Sequence, residues 1–390
     1  MNAARRVVIA SRLFPPEVSA GAFRLGALAR ASTRRGDAVR VLTTVPPPHA
    51  PQIDDHDGVD VSRWPVLRDA GGNVRGYVQY MSYDVPLLVR LLGTRFDVLV
   101  AESPPTTGLV AVVVAALKRR PVVYYAADVW TDGVISMGAP RFVVAVMRWM
   151  ERAVLRRARA IISVSDEVTE RLELLGADSA RITTVGNGIA TDVFAPDVVP
   201  VQADAPYFVY TGTMSEWQQP DVFVRALHLL ADEAPDVRIA FFGQGSVVPA
   251  LRALAEEIVP GRVDFGGVIP PADSARWIRG AVGSLVSIVP GIGYDFARPT
   301  KTFAAASVGT PVIFAGPRTG AALVEGADLG IATAFSPEAV ADAMRALLRQ
   351  AEDGTTERKR PERSSWARDT VSLDAVAERV AQVVTDVARD

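Results

Sequence analysis

Phe194-Ala-Pro-Asp-Val-Val-Pro200, followed by Tyr207-Phe-Val-Tyr-Thr-Gly-Thr213, is where one pattern stops and starts again. The first segment sets two prolines and an aspartate in a stretch with no helical or strand period, the mark of a connection between domains. The second is a run of aromatic and β-branched residues ending on glycine, the form of a buried parallel strand that leads into a turn. On the N-terminal side, strand-like segments over 6–11, 38–43, 96–101, 121–126 and 160–165 alternate with helix-like ones over 21–35, 107–118, 141–159 and 166–175. On the C-terminal side the alternation resumes. Strands are expected over 207–211, 237–242, 263–265, 283–288 and 311–314, with helices over 220–233, 247–258, 272–280 and 301–307. Alternation of this kind gives βαβ units and parallel sheets, here in two successive doubly wound α/β halves. The charged run 352–363 reads as a solvated loop, and residues 371–388 as a final amphipathic helix.

Length and composition narrow the classes. A chain of 390 residues exceeds one ordinary core. Hydrophobic residues are 49% and charged residues 22%, a globular balance. Lysine plus arginine is 42 against 44 for aspartate plus glutamate, a net charge of −2 that gives no global attraction to nucleic acid. The chain has no cysteine, which excludes disulfides, thiolate catalysis and cysteine-based zinc sites. Its histidines, His49, His56 and His228, lie too far apart to form a metal-ligand pattern, so no metal is expected. No secretory signal is visible at the start, and the longest apolar stretch, 108–117, is about half of a membrane span. The expectation is a cytoplasmic protein, with loose attachment to a membrane surface left open.

In open parallel sheets, ligands bind beyond the carboxyl ends of the strands, so the loops that follow strands carry the candidates. In Phe14-Pro-Pro-Glu-Val-Ser-Ala-Gly21-Ala22, small residues let N–H groups approach a phosphate at the next helix N-terminus; a tight turn would use the same residues. Asp128, in Tyr124-Tyr-Ala-Ala-Asp-Val-Trp-Thr-Asp132, is placed to orient a substrate hydroxyl or share a proton, or else to cap the following helix. Thr211-Gly212-Thr213 and Phe242-Gly243-Gln-Gly-Ser246 are candidates for backbone contacts to a nucleotide. In Arg298-Pro-Thr-Lys301-Thr302-Phe303 the proline starts a helix. Cations in a first helical turn are unfavourable unless an anion sits there, so Arg298 and Lys301 suit a diphosphate, the other reading being that both extend into solvent.

Taken in order, these segments resemble the retaining glycosyltransferases of family 4, which have the GT-B fold. The landmarks are Phe14-Pro-Pro-Glu with Gly21, Ser103-Pro-Pro, Asp128-Val-Trp, Ser163-Val-Ser, Asn187-Gly-Ile, Tyr210-Thr-Gly-Thr, Phe242-Gly-Gln-Gly, Val263-Asp-Phe-Gly-Gly-Val268, Pro299-Thr-Lys301 and Gly309-Thr-Pro-Val-Ile. The resemblance covers residues 7–378. It implies two Rossmann-like domains facing across a cleft: an acceptor-binding domain over 1–190, to which the terminal helix 371–390 returns, and a nucleotide-sugar-binding domain over 191–370. Asp128 beside the sugar and Lys301 on the diphosphate would be the catalytic residues. The donor would be held by Gly21, Gly212, Thr213, Gly243, Val268 (by the base), Asp295, Arg298, Lys301 and Thr302. The scheme requires no metal and no cofactor. The partners would be a nucleotide sugar and a small-molecule, natural-product or lipid-linked acceptor.

One departure stands out. The family usually has two glutamates flanking the Pro-x-Lys segment, and the matching positions here are Phe296 and Ala304. Asp295, one residue early, stands near the first role, whereas an alanine cannot accept a hydrogen bond from a ribose hydroxyl. The alternative to an active transferase is therefore a catalytically silent GT-B protein that binds a nucleotide or supports a partner enzyme. An epimerase of the same architecture is disfavoured by the few histidines.

Overall fold

The structure, a computed structural model, describes residues 4–389 apart from 18, 48–57, 69–73, 75, 137, 293–294 and 296–297. It forms two compact units, one running to Gly188 and completed by residues from Leu373 onward, the other spanning Ile189–Ser372.

The first unit runs β1 (Arg6–Ala10), α1 (Ala20–Arg34), β2 (Ala38–Thr44), β3 (Asp60–Trp64), α2 (Tyr77–Gly93), β4 (Val98–Glu102), α3 (Pro105–Lys118), β5 (Val122–Ala126), α4 (Trp130–Ser136), α5 (Arg141–Arg157), β6 (Ala160–Ser163), α6 (Asp166–Leu174) and β7 (Ile182–Thr184). Its sheet has the order β3-β2-β1-β4-β5-β6-β7, with every pairing parallel. β4 and β5 are buried at every position, as parallel strands covered on both faces must be.

The second unit runs β8 (Tyr207–Thr211), α7 (Asp221–Leu229), β9 (Arg238–Phe242), α8 (Val248–Ile258), β10 (Val263–Gly267), α9 (Pro271–Gly280), β11 (Gly283–Ser287), α10 (Thr300–Val308), β12 (Val312–Ala315), α11 (Arg318–Gly326), β13 (Gly330–Thr333), α12 (Pro337–Glu352), α13 (Thr355–Arg358) and α14 (Arg360–Thr370). Its parallel sheet has the order β10-β9-β8-β11-β12-β13. The last helix, α15 (Leu373–Val387), returns to the first unit. There its Val376, Val380 and Val384 share a core with Leu25 and Leu28 of α1. The expected α/β architecture of two Rossmann-like halves is what the chain builds.

The charged run 352–363 is not the solvated loop that its composition led us to expect. It closes α12, forms α13 and opens α14, and Arg360 and Arg363 in it are buried. Their guanidinium groups donate to the carbonyls of Val308 and Gly309, where α10 ends on a left-handed glycine (φ +78°). Cations at a helix C-terminus satisfy its open carbonyls and its dipole together, and so these arginines are drawn into the protein.

Both sheets reverse strand order once, between β1 and β4 and between β8 and β11. At such a switch point the loops after the two central strands diverge and leave a crevice. The loops after β8 and β11 carry Gly212 and lead to Lys301, and those after β1 and β4 carry Ser11 and adjoin Glu102.

Candidate functional site

In the second unit a cavity of about 490 Å³ opens at the switch point, lined by Thr211, Gly212, Thr213, Trp217, Gln218, Phe242, Gly243, Val268, Lys301 and Ala304 among others. The backbone there needs glycine. Gly212 has φ +111° and Gly243 φ +134°, and a Cβ on Gly243 would lie 1.9 Å from the Gly212 carbonyl oxygen. The two turns are tied together, Gly212 N–H donating to the Phe242 carbonyl and Met214 N–H to that of Gln244. Bare backbone therefore lines this wall of the cavity, and Gly212 approaches the Lys301 side chain, its virtual Cβ lying 3.9 Å from Nζ.

Lys301, in the first turn of α10, is 8% exposed, and its Nζ has no hydrogen-bond partner among the described residues. Nζ sits 3.6 Å over the ring of Tyr210. That ring is fixed from below by the Tyr210 hydroxyl, which donates to the Thr213 carbonyl at 2.7 Å. Burial alone depresses the ammonium from its ordinary 10.5 to about 7. A cation without a partner, at the positive end of a helix and facing a cavity, lacks one thing, an anion.

The other expected donor residues are distributed around this centre. Gly212, Thr213, Gly243 and Val268 line the cavity, Val268 as an exposed side chain. Arg298 is exposed and lies two residues before α10, next to its N-cap Pro299. Thr302 is buried and is not among the lining side chains. Asp295 accepts a hydrogen bond from Gly291 N–H at 2.7 Å, which holds it on its own loop. Ala304 lines the cavity, and Phe296 lies outside the described residues. The cavity wall also includes Gln218, 3% exposed, whose side-chain Oε1 accepts from the Ser215 N–H and hydroxyl.

The first unit holds the remaining two. Gly21, in the first turn of α1, has no room for a side chain, because a Cβ would lie 2.8 Å from Glu102 Oε1. Ser19 caps the helix by accepting from Ala22 N–H. Glu102 was missed by sequence reading, although a charged residue ending an apolar strand was the available signal. It is buried, accepts from Ser11 Oγ at 2.6 Å and from Arg24 at 3.3 Å, and Arg24 also donates to Asn187 at 3.0 Å. Burial pushes its carboxyl up, and Arg24 opposes the shift.

Asp128 follows β5 with its side chain open to solvent and with no hydrogen-bond partner among the described residues. The protein packed around its base raises its carboxyl, again against the pull of Arg24. Asp128 does not cap α4: the first N–H groups of that helix, on Trp130 and Thr131, donate at 3.0 Å to Glu151 of α5. Glu151, fully buried and also bonded to the Thr131 hydroxyl, is the structural acid of this region. Its amphipathic helix gave no hint that the carboxylate faces inward.

Fold and site together define an α/β protein of two Rossmann-like domains, with a cavity beside a buried lysine at the switch point of the second. The family description "Glycosyl transferase 4-like domain" matches residues 20–188, and "Glycosyl transferases group 1" matches residues 205–350. The chain belongs to the family 4-like glycosyltransferases of the GT-B fold. Among curated proteins, D-inositol 3-phosphate glycosyltransferase of Xylanimonas cellulosilytica is 31% identical over 227 residues, 52% of this chain and 51% of the relative. The enzyme of that name from Mycobacterium tuberculosis is 32% identical over 173 residues, 40% of this chain and 34% of the relative. The matches thus span about half the length of these relatives or less. Among solved structures, Anabaena HepE in complex with UDP and glucose has a TM-score of 0.62 at 15% identity, over 97% of this chain and 99% of that one. A glycosyltransferase from Rickettsia africae has a TM-score of 0.68 at 13% identity, over 100% of both chains. At these identities the likeness is one of fold.

Proposed function

We propose that the protein transfers a sugar from a nucleoside diphosphate sugar to a small-molecule or lipid-linked acceptor, retaining the anomeric configuration and using no metal ion. The observation that carries this reading is the buried, unpartnered ammonium of Lys301 beside the bare backbone of Gly212. Lys301 meets the diphosphate. As the bond between sugar and diphosphate breaks, negative charge grows on the leaving group, and a fixed cation at that point stabilises the transition state. Lys301 is buried, so its charge acts at a lower dielectric strength than in bulk water and needs little reorganisation. Asp128, whose carboxylate is unpartnered, accepts hydrogen bonds from sugar or acceptor hydroxyls. Retention rests on the family resemblance. The naming of relatives after an inositol phosphate, and UDP with glucose in HepE, make UDP-glucose and inositol 3-phosphate the first substrates to try.

The test is a donor screen that follows nucleoside diphosphate release, with and without candidate acceptors, on wild type and Lys301→Ala. Acceptor-dependent release that the alanine variant loses supports the proposal. Tight nucleotide binding without release from any donor would instead make the chain a silent binding protein, the reading that Ala304 favours.

A further inference from the structure

Helices α2, α3 and α5 cover one face of the first sheet: α2 packs on α3 and α3 on α5, above a shared core. Their outer surface is unlike that of an ordinary solvent-facing layer. On α2, Tyr83, Leu87 and Leu91 point into the core, yet Val78, Met81, Val85, Val89 and Leu92 are all exposed on the opposite side. Both charged residues of that helix, Asp84 and Arg90, are buried, so the exposed face carries no charge at all. A helix apolar all round belongs inside an apolar environment. α3 adds exposed Leu117, and α5 adds Phe142, Val146 and Trp149, at 72%, 51% and 62% exposure. These last three follow the spacing of one helical face.

Charge on this layer has one sign. α3 contains no acid, and the one acid of α5, Glu151, is buried under α4. Arg141, Arg152, Arg156 and Arg157 of α5 are exposed, and none pairs with a carboxylate among the described residues. Arg148, Arg152, Arg156 and Arg157 line a surface depression of about 550 Å³ with Trp149. Among the described residues, no helix is long and apolar enough to cross a membrane.

Going beyond the donor site, we propose that the outer face of α2, α3 and α5 is a docking surface for an anionic lipid bilayer. Apolar side chains of α2 and α5 enter the interfacial region, and the α5 arginines meet lipid phosphates. Trp149 and Phe142 lie where aromatic residues settle, between headgroups and acyl chains. A second copy of the chain is the weaker occupant. A twofold contact lays this face on itself, which buries the α5 cations against one another with no acid from the same surface to neutralise them. A bilayer rich in phosphatidylglycerol supplies the missing negative charge.

Vesicle co-sedimentation tests this with the full chain, comparing phosphatidylcholine vesicles with mixed phosphatidylcholine–phosphatidylglycerol vesicles. The expected result is binding to the mixed vesicles that weakens as salt is raised. Arg148→Ala/Arg156→Ala lowers the partition coefficient by roughly thirtyfold, about fivefold for each cation lost. Val85→Glu/Val89→Glu, on exposed positions that leave the core intact, abolishes binding at any salt. Circular dichroism and nucleoside diphosphate affinity, which the bilayer face does not touch, serve as controls for folding. Equal partition of all three proteins, or no partition of wild type, overturns the proposal. So does a dimer in analytical ultracentrifugation that Val85→Glu/Val89→Glu dissociates.

Discussion

Two buried charges lie near the two switch points, and they differ in one respect. Glu102 of the first unit is held by Ser11 and Arg24, and Arg24 in turn by Asn187. Among the described residues, the ammonium of Lys301 in the second unit has no hydrogen-bond partner and lies over the face of a tyrosine ring. The same fold has put a charge beneath a helix N-terminus in both halves. In the first the chain supplies the counter-charge, which makes the group part of the structure. In the second no described residue supplies it, and a cavity of about 490 Å³ lies beside the charge. Burial alone does not distinguish the two charges; the counter-charge beside Glu102, and the cavity beside Lys301, do.

The largest effect expected from this contrast is at Glu102. Glu102→Ala leaves Arg24 buried and uncompensated, which costs about 3–5 kcal/mol of folding stability. Denaturant unfolding measures it, and a loss under 1 kcal/mol would erase the distinction by making Glu102 as dispensable to the fold as a surface ion.

Lys301→Met tests the other side. The native fold should not weaken, because the variant removes a desolvated cation and keeps the volume. Binding of a nucleoside diphosphate should fall by about 1.5–3 kcal/mol, the worth of hydrogen bonds to a charged group, as read by calorimetry. The pH dependence has a definite sign. Since burial lowers the folded-state value from 10.5 to about 7, the unfolded chain binds a proton in that window that the native chain does not. Stability from this group therefore rises as pH climbs from about 7 towards 10.5, and Lys301→Met flattens that slope. A slope that survives the substitution would assign it to some other group.

Ala304→Glu sharpens the same pocket from the opposite direction. A carboxylate beside the cavity should tighten a ribonucleoside diphosphate by up to about 1.5–3 kcal/mol, and a 2′-deoxy analogue by less. Abolished binding in a folded variant would mean that the ligand occupies that space. The smallest effect is on stability at Asp128. Asp128→Asn should change unfolding free energy by no more than about 0.5 kcal/mol, since Glu151 and not Asp128 caps α4, while turnover falls. A sharp drop in melting temperature with unchanged turnover per folded molecule would return Asp128 to a structural role.

How much of this was legible before the structure follows physical lines. Strands such as β5 and β8 could be read because a parallel strand buried on both faces is an unbroken apolar run. The turns at Gly212 and Gly243 could be read because only glycine tolerates their backbone. α2 was not legible, because Gly76 opens it without a side-chain cap, Pro86 interrupts it, and its apolar residues face both ways. The helices of 352–363 were hidden for another reason. Their arginines are buried by carbonyls more than fifty residues away, and no local pattern records that. Lys301 was singled out from its place in a helix start, but its isolation depends on what surrounds it in space. The partners of Glu102, likewise, come from the loop after β1 and from α1, and Arg24 is held in turn by Asn187, just before the second unit.

The most direct measurement is an NMR titration of lysine ¹³Cε resonances, made tractable because the chain has three lysines, Lys118, Lys301 and Lys359. Lys118 donates to the carbonyls of Leu92 and Thr94, and Lys359 pairs with Asp328. The account predicts that one resonance, absent in Lys301→Met, titrates near pH 7 in the free protein and moves up sharply when a nucleoside diphosphate is added. A Lys301 resonance that titrates near 10.5, and stays there with the nucleotide present, would contradict it.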